Sequence, residues 1–122
     1  MRLIKSESEI ALMQEAAQIS VAAHRRAMRA SLNANYEYQL EAELVYEFTR
    51  QGCRSVAYDP IVASGENACI LHYTANNKPL DNNQLVLIDA GGEFENYAAD
   101  ITRTFPVGGQ FNAEQRQIYE LV

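Results

Sequence analysis

LVLIDAGGEFENYAADITRTF, residues 85–105, reads as an antiparallel hairpin and decides the class of the fold. Two runs rich in Val, Ile, Thr and Tyr flank a polar centre, which is the pattern of paired strands about a turn. With the turn at Phe94-Glu95, Asp89 and Asp100 stand directly opposite each other on one face, Cβ atoms about 4.5–5.5 Å apart. Like charges at that spacing in a half-buried strand repel and lose hydration, so a cation or a shared proton must offset them. A divalent metal is the natural partner. Carboxylate oxygens suit hard or borderline divalent ions, and two of them can support metals about 3.5–4 Å apart, an arrangement that activates water for hydrolysis. The residues alone leave a second reading open, in which one aspartate caps a turn and the other sits at a solvated strand edge.

Outward from the hairpin, the chain reads as helix, helix, strands, hairpin, helix. Ser6 with Glu9 forms a capping box, and Ile10, Met13, Ala17, Val21, His24 and Met28 follow at helical intervals, predicting a helix to about Ala30. A second amphipathic segment with Leu40, Leu44, Val45 and Phe48 inward runs to Gly52. SVAYDPIVAS (55–64) and ACILHYT (68–74) read as two short strands about the turn residues Gly65-Glu66-Asn67. Leu85 to Ile88 are apolar on both faces, which predicts a central strand carrying Asp89 at its end. Asn112 with Gln115 opens a third helix whose inward residues Ile118, Leu121 and Val122 run into the terminus, the pattern expected of a piece cut from a longer protein. The class is therefore α+β, an antiparallel sheet with helices packed on one face.

Composition narrows the function. The chain has 122 residues, room for one domain, and its 10 basic against 16 acidic residues give a net charge of −6. No cluster of Lys or Arg stands out, so nucleic acid and anionic membranes are not expected partners. No stretch approaches the ~20 apolar residues of a membrane span, and no signal-peptide core follows the N-terminus, so a cytoplasmic address is expected. Cys53 and Cys69 lack CxxC spacing and read as buried small hydrophobes. His72 reads as a metal ligand, as a donor to a developing oxyanion or as a structural residue, whereas His24, on an apolar helix face, reads as structural. Thr102 shares the Asp100 face and suits a hydrogen bond to a ligand carboxylate; Tyr58, Tyr73 and Tyr97 could line a pocket, although tyrosine in strands is commonly packing.

Three stretches together carry a family resemblance: YDPIVASGENACILHYT (58–74), LVLIDAGGEFENYAADITRTFPV (85–107) and FNAEQRQIYELV (111–122). They resemble the catalytic domain of the Xaa-Pro aminopeptidase (aminopeptidase P) branch of the pita-bread metallopeptidases, over nearly the whole chain. The resemblance implies half of a pita-bread fold, residues 1–122 forming the N-terminal half of the catalytic domain. It implies that Asp89 binds one metal, that Asp100 bridges two, and that His72 orients substrate and stabilises the tetrahedral intermediate. The implied reaction removes the N-terminal residue from peptides with proline second, through a hydroxide activated by two divalent ions, manganese expected. One further histidine and two glutamates complete the family's metal set and have no counterpart here, so the piece alone is expected to lack activity. A peptide substrate and a homo-oligomer are the expected partners. Prolidase and a non-catalytic interaction module of the same fold are the alternatives.

Overall fold

Ser6 opens the first helix as its sequence dictates. Its hydroxyl accepts from the Glu9 amide and Glu9 reaches back to the Ser6 N–H, closing the capping box ahead of α1 (Glu7–Ala30). The structure is a computed structural model and describes residues 3–122. After α1 come α2 (Glu37–Arg50), β1 (Ser55–Val56), β2 (Ile61–Ser64), a 3-10 helix (Gly65–Cys69), β3 (Leu85–Ala90), β4 (Gly92–Phe94), β5 (Tyr97–Ala98), β6 (Ile101–Pro106) and α3 (Ala113–Leu121).

All strand pairing is antiparallel, in the orders β2-β3-β6 and β1-β4-β5. β3 is central, as its apolar run predicts. Its Val86, Ile88 and Ala90 are buried in one cluster with Ile19, Ala23 and Ala27 of α1, Leu40, Leu44 and Phe48 of α2, Val62 and Phe105. The helices thus cover one face of the sheet. A small second cluster, Ile61, Ala63 and Tyr73 with Leu87 against it, lies on the other.

The hairpin forms, with its turn one residue later than the spacing suggested. Glu95 and Asn96 both have positive φ (49° and 71°), the pair of conformations a two-residue type I′ loop requires. Asparagine tolerates that region, whereas Phe94 is drawn into the core beside Gly52. The partner of Asp89 is consequently Thr102, not Asp100. A two-residue change of register preserves parity, so the two aspartates keep a common face. Between β4/β5 and β3/β6 the ladder is interrupted at Gly91, where a Cβ would stand 1.7 Å from the Ala99 carbonyl oxygen. Only glycine admits that carbonyl.

Other expectations are corrected. The buried face of α1 is Ala16, Ile19, Ser20, Ala23, His24 and Ala27, while Ile10, Met13 and Val21 are exposed. Small residues win because they let the helix backbone approach the hairpin, and Ser20 Oγ accepts from the Gly92 N–H at 3.1 Å. Val45 is likewise exposed, although Leu40, Leu44 and Phe48 are buried as read. ACILHYT is not a strand: it comprises the end of the 3-10 helix and an irregular strap, held by side-chain hydrogen bonds instead of a ladder. Cys53 is buried but Cys69 is exposed, and both are free thiols. α3 carries the expected capping box, Asn112 with Gln115, yet Ile118, Leu121 and Val122 are exposed, with no described element over them.

Candidate metal centre

β3 delivers Asp89 to the sheet face opposite the helices, and the chain between β5 and β6 delivers Asp100 to the same side. Both line a cleft of about 350 Å³ together with Tyr58, Asp59, Ile61, His72 and Thr74. The three residues singled out in the sequence, Asp89, Asp100 and His72, therefore meet in one place. Thr102 lies beside them as the cross-strand neighbour of Asp89.

What holds the two carboxylates is Tyr58, a residue whose sequence context suits pocket lining as well as packing, and which lines the cleft. The Tyr58 hydroxyl donates to Asp89 Oδ1 at 2.5 Å and lies 2.9 Å from Asp100 Oδ1. One hydroxyl carries one proton, so the two acceptors share it. Burial first, then the hydrogen bonds and negative charge of Asp89 and Asp100, pushes the Tyr58 phenol far above the ordinary tyrosine value. It remains a neutral donor throughout the physiological range. Tyr58 falls inside the stretch 55–64 read as one strand, but the structure divides that stretch into β1 and β2, and Tyr58 lies in the break between them.

His72 occupies a left-handed conformation, φ 57°, in the strap that follows the 3-10 helix, and its side chain is exposed at the cleft. This backbone region is uncommon for a residue other than glycine and is held by its surroundings. His24 is buried on α1 with Nδ1 2.9 Å from the Ser20 carbonyl oxygen, within its own helix and apart from the cleft, which is the structural reading.

The donor set fits part of a divalent-cation site. Asp89 and Asp100 supply hard oxygen ligands, and each carboxylate has its second oxygen, Oδ2, outside the Tyr58 contact. Among the described residues no group of three or more His, Cys, Asp or Glu is gathered in a metal-holding cluster. Two carboxylates are a fraction of the coordination such an ion requires.

A family model, metallopeptidase family M24, matches residues 11–122. The chain is 56% identical over 122 residues to Xaa-Pro aminopeptidase from Haemophilus influenzae and 52% identical over 122 residues to that of Escherichia coli K12. Each alignment takes in 100% of this chain and 28% of the relative, so the chain spans about 28% of the length of the curated relatives it matches. Among solved structures, aminopeptidase P from E. coli with the inhibitor Pro-Leu superposes with a TM-score of 0.96 at 52% identity. The Zn-substituted E. coli enzyme in complex with product gives 0.93 at 51%. Both cover 100% of this chain and 28% of theirs. The mixed α+β, antiparallel pita-bread architecture expected from the sequence is the fold the chain adopts.

Proposed function

We propose that this chain, which belongs to metallopeptidase family M24, supplies Asp89, Asp100 and His72 to the active site of an Xaa-Pro aminopeptidase. The observation that carries the reading is the Tyr58 hydroxyl clasping Asp89 and Asp100 at the rim of the cleft that His72 also lines. Asp89 and Asp100 would be the carboxylates that hold the divalent ions, with manganese as the proposed metal. When bound, such ions lower the pKa of water and polarise the scissile carbonyl.

The chain's own residues orient and donate. Tyr58 fixes the two carboxylates in one arrangement, so their rotamers need not be ordered when a cation arrives. His72, exposed in the cleft, orients the peptide and donates a hydrogen bond to the oxygen that gains charge as the carbonyl is attacked. The substrate is a peptide with proline in second position, and the N-terminal residue leaves.

Residues 1–122 are one half of a pseudo-symmetric catalytic domain, and the remaining histidine and glutamates lie in the other half. The piece alone binds metal weakly and has no peptidase activity. On its own the 122-residue piece, with Ile118, Leu121 and Val122 exposed, should form a homo-oligomer in which a second copy stands in for the missing half. A cytoplasmic address is part of the proposal; no helix among the described residues is long and apolar enough to cross a membrane. Assay with manganese and an Xaa-Pro peptide tests the reading: the natural-length protein should turn over and lose activity with Asp100→Asn, while the 122-residue chain should not. Robust turnover by the chain alone refutes the division of the site.

A further inference from the structure

Glu37, the first residue of α2, is fully buried and forms no ion pair among the described residues. Its carboxylate accepts five hydrogen bonds instead. Oε2 takes them from Ser64 N at 2.8 Å, Ser64 Oγ at 3.0 Å and Asn67 Nδ2 at 3.2 Å. Oε1 takes them from Tyr73 OH at 2.7 Å and Lys78 N at 2.8 Å. A buried carboxylate without such a set would be costly, so the donors and the charge require one another.

These donors have a common origin. They come from the end of β2, from the 3-10 helix and from the strap between it and β3, and that strap carries His72. Between Ile70 and Lys78 the strap has no strand pairing of its own. It is clasped at Tyr73 and Lys78 by Glu37 and at Asn76, whose side chain accepts from Val62 N at 2.9 Å and donates to the Pro60 carbonyl at 2.9 Å. Tyr73 is buried and immediately follows His72, whose left-handed backbone must be imposed by such neighbours.

We propose that Glu37 is a positioning residue: its carboxylate anchors Tyr73 and Lys78 and thereby sets where His72 stands relative to Asp89 and Asp100. The inference rests on the role given to His72 above. It extends the site to a residue 35 positions upstream that lines no part of the cleft. Glutamine cannot substitute, because its amide nitrogen would face Ser64 and Asn67 in one orientation or Tyr73 and Lys78 in the other, donor against donor.

The test uses the natural-length protein with Glu37→Gln and, should that variant fail to fold, the milder Tyr73→Phe, which removes one donor. Hydrogen exchange of peptides spanning 65–78 should quicken by at least about tenfold, the loss expected of one hydrogen bond to a charged acceptor, while β3 and β6 stay protected. Manganese affinity should stay within twofold, since Tyr58 and not Glu37 holds the aspartates. On an Xaa-Pro peptide kcat should fall more than KM rises, and the loss should vanish in a His72→Ala background. Unchanged strap exchange, or a kinetic loss that persists undiminished without His72, overturns the positioning role alone. An active enzyme indifferent to His72→Ala overturns both this inference and the role assigned to His72.

Discussion

Tyr58→Phe removes one oxygen atom and leaves the ring, so it isolates the clasp on the two carboxylates. The hydroxyl stands 2.5 Å from Asp89 Oδ1 and 2.9 Å from Asp100 Oδ1. A hydrogen bond to a charged acceptor contributes about 1.5–3 kcal/mol, and one shared proton does not double that. Two opposing effects follow. Without the hydroxyl the like charges repel more strongly, which favours any arriving cation; without it the carboxylates also lose their fixed orientation, which disfavours binding. Both contacts use Oδ1 and leave Oδ2, so the clasp persists when a cation is bound and the loss of orientation wins. Manganese affinity of the natural-length protein should weaken about 10–100-fold, the usual effect of deleting a residue that orients a metal ligand, or about 1.4–2.7 kcal/mol. Isothermal titration of wild type and Tyr58→Phe with manganese measures it. Tighter binding by the variant would mean that Tyr58 competes with the metal, and the reasoning would be wrong.

Gly91→Ala should abolish the paired arrangement, because its Cβ would fall 1.7 Å from a backbone oxygen that no rotamer change can move; a loss of about 3 kcal/mol or more is expected in chemical denaturation, and a neutral result would contradict the close approach. Glu37 should give the protein an acid-sensitive limb. Burial raises its pKa, but the hydrogen bonds from Tyr73, Ser64, Lys78 and Asn67 outweigh that and hold it below the usual 4.5. A depressed folded value means that the contribution is complete above the unfolded pKa and is lost as pH falls through the folded one. Denaturation midpoints should therefore decline below about pH 4.5 in wild type. Tyr73→Phe, which removes the largest of the lowering contacts, should bring the folded value nearer the unfolded one and make that acid decline shallower than in wild type.

The helices and the hairpin were legible because their signals are local. Capping boxes at Ser6 and Asn112, the stop near Gly52 and the alternation around Asp89 need no knowledge of the rest of the chain. The turn was misplaced by one residue because β-propensity does not distinguish Phe94-Glu95 from Glu95-Asn96, whereas the left-handed backbone of a type I′ loop does. Parity rescued the site from that error. The strap at 70–78 was not legible, since apolar ILHYT has strand composition and the features that override it are Glu37 and Asn76, distant in sequence or irregular in backbone. Tyr58 was hidden for the same reason: its partners lie 31 and 42 residues away. The inward face of α1 failed because hydrophobicity ranks Met13 above Ser20, while close helix packing ranks them the other way.

The ribbon from β3 to β6 also sets an order of events during folding. Its strands are joined by a two-residue loop, and such hairpins close on a timescale of about 1–10 μs. The Tyr73–Glu37 contact must close a segment of 36 residues, and Tyr58 reaches Asp100 across 42. Loop entropy delays these longer closures. The acidic pair is thus brought together while its hydroxyl partner is still unattached, and for that interval solvent and small ions are its only counterweight. Divalent salt should therefore favour formation of the ribbon more than it changes the later closures.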